Sequence, residues 1–173
     1  MTTKKKEEAK VVSQEQLADG IFSMWIQTEA AGSARPGQFI SMYTNDGSKL
    51  LPRPISICEI DKEGGKLRVV YRVTGEKTGT EEFSQMKAGD IIPVIGPLGN
   101  GFPFEKAEGK KVFLMGGGIG VPPILELAYN KKLPSLPMGS GVSYMFFNPK
   151  LKNFVPRAHV GWGAMVLDAY FEE

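Results

Sequence analysis

Polar and apolar positions alternate most cleanly in Lys66-Leu67-Arg68-Val69-Val70-Tyr71-Arg72-Val73, directly after the turn residues Glu63-Gly64-Gly65. A period of two predicts a strand with one buried face. Ile21 to Thr28 has the β-branched and aromatic content of a second strand. Phe39 to Tyr43 reads as another, between Arg35-Pro36-Gly37 and Asn45-Asp46-Gly47-Ser48, both of which are turn chemistry. Arg53 to Ile60 is a further strand, and Pro54 confines it to an edge or a strand start. Thr80 to Met86 predicts a short helix with Thr80 as its N-cap and Phe83 and Met86 facing inward. Lys87 to Asp90 is a turn, and Ile91 to Gly96 is again strand-like. Short strands this closely spaced predict an antiparallel barrel or sandwich over residues 11–104.

The pattern changes near Glu108-Gly109-Lys110, which sets a domain boundary near residue 108. Lys111-Val112-Phe113-Leu114-Met115 is a continuous apolar run, as in a buried parallel strand. Gly116-Gly117-Gly118-Ile119-Gly120 follows at once, and Val121 to Tyr129 reads as a helix with Pro122 and Pro123 in its first turn. Strand, glycine loop and helix together form the opening unit of a doubly wound sheet. Such a sheet needs further strand–helix units. From about Lys131 the chain instead shows Pro134, Pro137, Gly139, Gly141, Pro149 and Pro156, with one strand over Val142 to Phe147 and one short helix over Ala164 to Phe171. The predicted architecture is therefore a barrel over residues 1–107 and an incomplete doubly wound α/β domain with an irregular tail over residues 108–173. Met1 to Lys10 is too polar for a signal peptide and is expected to be a frayed, solvated terminus.

Composition narrows the chemistry. Lys plus Arg exceeds Asp plus Glu by only two charges in 173 residues, which speaks against a general nucleic-acid binder. His159 and Cys58 are the sole residues of their types, so this chain alone cannot build most His/Cys metal sites or a cysteine-ligated iron–sulfur cluster. An intrachain disulfide is impossible, which fits a reducing, cytoplasmic setting. No apolar run is long enough for a membrane helix. Cys58 is expected to be a small buried hydrophobe and His159 non-catalytic.

Four constellations carry candidate chemistry. Gly116, Gly117, Gly118 and Gly120, between a buried strand and a helix, would let a pyrophosphate approach the backbone and the helix N–H groups; the alternative is a tight structural turn. In Arg53-Pro54-Ile55-Ser56 the arginine offers a bidentate fork for phosphate and Ser56 a small hydroxyl donor; the alternative is a solvated arginine on a barrel edge. Tyr71-Arg72 leads into Gly75-Glu76-Lys77-Thr78-Gly79-Thr80, where a helix end could hold a second phosphate, or simply be a capped turn. Gly96-Pro97-Leu98-Gly99-Asn100-Gly101-Phe102 predicts close packing against something flat or bulky, or else a flexible interdomain linker.

In this order, together with Pro36-Gly37-Gln38-Phe39, these motifs resemble those of the ferredoxin–NADP reductase-like flavoproteins over roughly residues 10–130. Among these flavoproteins the chain is most similar to the electron-transfer subunits of type B dihydroorotate dehydrogenases, which serve pyrimidine biosynthesis. Related modules are the small subunits of flavin-dependent ferredoxin:NADP transhydrogenases and hydrogenase diaphorases. The resemblance implies an FAD-binding barrel and a nicotinamide-nucleotide domain, with NAD(P)H as electron donor or acceptor. It implies Arg53 and Pro54 near the flavin diphosphate, Ile55 beside them, and Ser56 at the reactive ring edge as the catalytic residue. It implies Val70, Tyr71 and Arg72 lining the flavin, Gly79 and Thr80 at the FAD phosphates, and Gly116, Gly117, Gly118 and Gly120 at the nicotinamide nucleotide. It further implies a hetero-oligomer with a catalytic dihydroorotate dehydrogenase or similar redox partner. A [2Fe–2S] cluster held by four cysteines belongs to the family pattern, and this chain does not support it. The texture after about residue 130 departs from the family and is expected to reflect truncation or a disrupted reading frame. A non-catalytic barrel binding module is the alternative from a different class; three separate phosphate-type features are more than such a module needs.

Overall fold

The computed structural model describes residues 6–103 and 116–130, with four two-residue strands beyond them. Six strands close an antiparallel barrel: β1 (Glu7–Ala18), β2 (Ile21–Gln27), β3 (Phe39–Met42), β4 (Arg53–Asp61), β5 (Lys66–Arg72) and β6 (Ile91–Leu98). The spatial order is β1-β2-β5-β4-β3-β6, and β6 returns to β1. Closure pairs each barrel strand with neighbours on both sides over part of its length.

The first strand corrects the expectation of a frayed start. Glu7 to Lys10 lie opposite Val94 to Ile91 and complete the barrel. Ala9 and Val11 are fully buried, while Glu8 and Lys10 face solvent. One alanine among charges is too weak an apolar signal to expose that alternation. Glu7 itself has a structural task. Its carboxylate accepts from the Thr28 hydroxyl and from the N–H groups of Glu29 (3.1 Å) and Ala30 (3.2 Å), capping the 3-10 turn Glu29–Ser33.

The barrel is filled by Met24, Ile26, Ile40, Met42, Ile57, Leu67, Val69, Tyr71, Ile92 and Val94. Helix α1 (Gly79–Ser84) adds Phe83 to this core, edge-on to Tyr71 with ring centroids 6.2 Å apart. Met86 packs against the same cluster, as its spacing predicted. The helix starts one residue earlier than expected, and its cap is Thr78 rather than Thr80. The Thr78 hydroxyl accepts from Glu81 N–H at 3.3 Å and donates to Gly75 O at 2.8 Å. Thr78 stands three residues before Glu81, the favoured cap-to-acid spacing. Thr80 is buried inside the first turn, where its hydroxyl accepts from Thr74 N–H at 3.2 Å.

Helix α2 (Pro122–Asn130) follows the glycine loop and packs on β4, with its prolines in the first turn as predicted. The strand expected over Lys111 to Met115 and the boundary near residue 108 lie outside the described residues. In the tail, β7 (Leu136–Pro137) pairs with β8 (Tyr144–Met145), and β9 (Leu151–Lys152) pairs with β10 (Tyr170–Phe171). The β8 residues fall within the strand predicted for Val142 to Phe147. Tyr170 and Phe171 are strand, not the end of a helix. Their aromatic side chains favour extended backbone, and Leu151–Lys152 supplies the partner.

Candidate functional site

Strand β4 departs from its neighbours in opposite directions. It pairs with β3 from Arg53 to Ser56, and with β5 only from Ile57 onward. Pro54 therefore lies where no β5 ladder needs its missing N–H. Ile55 and Ile57 face the core, so the alternation turns Ser56 and Cys58 to the outer face. On β5, Leu67, Val69 and Tyr71 face inward and Val70 and Arg72 face outward.

Arg53 meets α1 across this end of the barrel. A Cβ on Gly79 would lie 3.0 Å from Arg53 Nε and 3.0 Å from Thr44 Cγ2, so any larger residue would press these side chains back from the helix. The guanidinium is steadied by a hydrogen bond from Nη1 to Leu51 O. In the first turn of α1, the Glu81 and Glu82 N–H groups bond to Thr78. The Gly79 and Thr80 N–H groups precede them, at the helix end that has no helical acceptor. Glu82 is turned away from that end: its carboxylate meets Lys49 Nζ at 3.0 Å and accepts from Asn45 N–H at 2.8 Å. The Glu82 hydrogen bond raises the Lys49 pKa, and hydrogen bonds from Ser48 lower that of Asp46, so the β3–β4 loop is pinned by charged partners. The result is one arginine and two backbone donors beside a neutralised acid, a donor set suited to a diphosphate.

Tyr71 departs from its expected place. Its ring is 1% exposed, it stacks on Phe22, and its hydroxyl donates to Gln14 Oε1 at 2.7 Å. Burial pushes its pKa up. The side chain belongs to the core, and the residue as a whole is buried. Gln14 also donates from Nε2 to the carbonyls of Phe83 (3.0 Å), Ser84 (3.0 Å) and Met86 (2.9 Å), so the buried phenol and the end of α1 share one anchor.

The glycine turn reaches the same outer face from the other side. Its 3-10 segment, Gly118–Gly120, contacts β5, and α2 lies along β4. Val70 is only 8% exposed although it points outward. The four glycines divide into two kinds. A Cβ on Gly116 would meet Ile124 Cδ1 at 2.8 Å and Gly120 O at 2.9 Å, so packing demands glycine there. At Gly117, Gly118 and Gly120 nothing lies within 4 Å, and Gly118 has a positive φ of 54°. At Gly117 and Gly120 neither space nor conformation requires glycine, which leaves bare backbone open to an approaching group. The helix end contributes less than expected. Pro122 and Pro123 carry no N–H, and Ile124 N–H bonds to Val121 O at 3.1 Å. Gly120 N–H is also bonded, to Gly117 O at 3.0 Å. Any anion here meets the N–H groups of the turn itself.

The loop at Gly96 to Phe102 is neither a linker nor open. The Phe102 ring lies over Gly37, and its N–H bonds to Pro36 O at 2.9 Å. Gln38 Nε2 donates to Gly99 O at 2.7 Å. The loop's glycines pack against the barrel itself: Gly96 lies against Ile40, Gly99 against the Phe39 ring and Gly101 against Pro36 O. Cys58 is buried, and that burial pushes its thiol up to about 12, in keeping with a small buried hydrophobe. His159 lies outside the described residues. Among the described residues no three His, Cys, Asp or Glu side chains form a metal-binding group, and no helix is long and apolar enough to cross a membrane. Sequence reasoning missed Glu7, Gln14 and Glu126. The Thr78-to-Glu81 spacing could have revealed the true cap; Gln14 carried no signal.

No family model matches the chain. The chain is 46% identical over 124 residues to the dihydroorotate dehydrogenase B (NAD(+)) electron transfer subunit of Streptococcus mutans, covering 71% of this chain and 47% of that one. The chain spans about half the length of the curated relatives it matches. The solved structure of an NADH-dependent reduced ferredoxin–NADP oxidoreductase, studied for flavin-based electron bifurcation, is 30% identical with a TM-score of 0.59, over 72% of this chain and 44% of that one. A ferredoxin NADP+ reductase from Neisseria gonorrhoeae with bound FAD and NADP shares the fold at 18% identity and a TM-score of 0.55, over 71% and 50% of the two chains.

Proposed function

We propose that the chain is a ferredoxin–NADP reductase-like flavoprotein that binds FAD and passes electrons between a nicotinamide nucleotide and a catalytic dihydroorotate dehydrogenase subunit. The observation that carries the reading is the meeting of Arg53 with Gly79, two phosphate-type features 26 positions apart that the fold makes adjacent. When bound, FAD supplies a ring that accepts a hydride and releases electrons singly.

Arg53 neutralises the diphosphate, and the Gly79 and Thr80 N–H groups bond its oxygens. Pro54 and Ile55 hold the strand that presents Arg53. Ser56, on the outer face of β4, offers its hydroxyl at the ring edge as the catalytic donor. Val70 offers an apolar side chain and Arg72 a second cation, while Tyr71 stays in the core. Gly116 packs the turn, and Gly117, Gly118 and Gly120 leave backbone for the nicotinamide nucleotide. The single buried cysteine does not fit a [2Fe–2S] cluster, so such a relay requires ligands from outside this chain. The proposed assembly is a hetero-oligomer in the cytoplasm, where a buried free thiol stays reduced. The 30% identity to a ferredoxin-linked oxidoreductase favours a ferredoxin:NADP transhydrogenase as the second reading.

The test is the visible absorption spectrum of the purified chain after incubation with FAD, with the released cofactor identified. A stoichiometric FAD band is expected. Arg53→Ala is expected to weaken FAD binding by about 2 kcal/mol, the scale of a lost charge-assisted contact. No flavin uptake by the unaltered chain defeats the proposal; equal uptake by the variant defeats the role of Arg53.

A further inference from the structure

Strand β3 begins at Phe39, opposite Ser56, and Ile57 N–H is taken by Gln38 O at 3.0 Å. Beyond that point β4 continues to Asp61, while its register with β5 slips between Ile57 and Glu59. The edge that β3 vacates has backbone groups to satisfy. Ile60 N–H on this edge donates to Glu126 Oε2, at 3.1 Å, from the middle of α2. A side-chain carboxylate thus stands where the next strand's carbonyl would otherwise be.

We infer that Glu126 is a positioning residue, whose bond to Ile60 N–H sets α2, and with it the Gly116–Gly120 turn, in one register against the β4–β5 face that carries Ser56 and Val70. The inference rests on the proposed flavin and nicotinamide sites and names the contact that aligns them. Apolar packing of a short helix on a strand tolerates sliding, because dispersion contacts are numerous and non-directional. A charge-assisted hydrogen bond to one backbone N–H is directional and selects one position. Glu126 is six residues from Gly120, roughly 9 Å along a helix at about 1.5 Å per residue. Gly116 is then tied to α2 by its contact with Ile124. Displacement at Glu126 therefore reaches the turn with little loss. Transfer between two bound rings is sensitive to such shifts, with misplacement by about 1 Å costing on the order of a hundredfold.

The test compares the unaltered chain with Glu126→Ala, Glu126→Asp and Glu126→Gln in two measurements: anaerobic reduction of bound FAD by NADH, and backbone amide chemical shifts. Glu126→Gln keeps an acceptor oxygen at the same reach and is expected to reduce flavin within about twofold of the unaltered rate. Glu126→Ala is expected to keep its FAD and to slow reduction by at least about tenfold, because the donor is misaligned. Its amide shifts are expected to change at Gly117, Gly118 and Gly120 as well as at Ile60. Glu126→Asp, one methylene shorter, is expected to fall between the two and serves as the informative variant if the alanine form does not fold. Normal reduction in Glu126→Ala, or in Glu126→Asp where it stands in, with shift changes confined to Ile60, overturns the inference. If the unaltered chain takes up no FAD, the proposed function fails instead. The shifts then decide alone: spread to the glycine turn upholds the positioning role, and confinement to Ile60 overturns it.

Discussion

The Arg53–Gly79 cluster and the Gly116–Gly120 turn are both glycine-bearing sites, and they are built in opposite ways. The first is assembled from segments far apart in the chain: the start of β4, the β3–β4 loop and the first turn of α1. Each is pinned, and Gly79 is already pressed against Arg53. The second is a contiguous local motif, in which three of four glycines face open space and the helix behind them offers few N–H groups. A site built by closure of a barrel arrives preorganised. A site built from one turn depends on whatever holds that turn in place, here α2 and its contact with β4.

The largest break in the comparison is Phe83→Ala. Phe83 is fully buried against Tyr71, and its loss is expected to cost about 3–5 kcal/mol, measured by chemical denaturation. It should loosen α1 and the diphosphate cluster while leaving the glycine turn's own contacts in place. Alanine substitutions within the turn sharpen the contrast. Gly116→Ala drives a methyl into Ile124 and Gly120 O and is expected to cost about 1–3 kcal/mol of stability. Gly117→Ala should change stability by less than about 0.5 kcal/mol. It should nonetheless weaken NADH binding by on the order of tenfold, about 1.4 kcal/mol, read by titration. Equal destabilisation by the two would erase the distinction between the packed and the open glycine.

Alkaline pH probes both sides of the comparison, through Cys58 on β4 beside Glu126 of α2 and Tyr71 in the core beside α1. The folded-state pKa of Cys58 is raised from 9.0 to about 12, and that of Tyr71 is also raised, both by burial. The unfolded chain releases these protons first. The Cys58 contribution is complete below pH 9 and is lost as pH rises toward 12, by roughly 1.4 kcal/mol per pH unit, whereas that of Tyr71 is complete below pH 10 and is lost only above it. The urea midpoint should fall between pH 8 and pH 10 through Cys58, and Cys58→Ala should remove that decline; an unchanged midpoint speaks against the burial of Cys58. A modest effect is expected for Thr78→Ala, about 1 kcal/mol in thermal unfolding through loss of the α1 cap. A comparable loss in Thr80→Ala alone, with Thr78→Ala neutral, would restore the cap to Thr80.

Much of the barrel was legible because a strand announces itself through a period of two. Lys66 to Arg72 and Ile21 to Gln27 lie where their alternation and β-branched content put them. Pro122 and Pro123 mark the first turn of α2 because a missing N–H is tolerated there. Arg53, Ser56, Gly79 and the glycine turn stood out because their residue types carry specific chemistry.

What the sequence determined by itself was local: which segments extend, which turn, and which residue types offer phosphate or close-approach chemistry. Only the tertiary structure decided the partners. The alternation of Lys66 to Arg72 already sets Tyr71 in the inward phase with Leu67 and Val69, but only packing decided what it meets there: Phe22, Phe83 and the Gln14 side chain. β1 became the closing strand because β6 needed a ladder, not because its composition demanded one. Gln14 and Glu126 are ordinary polar residues until carbonyls from α1 and an N–H from β4 come within reach. Backbone periodicity acts between neighbours along the chain. The contacts that align these sites join groups dozens of residues apart, and only closure of the barrel brings them together.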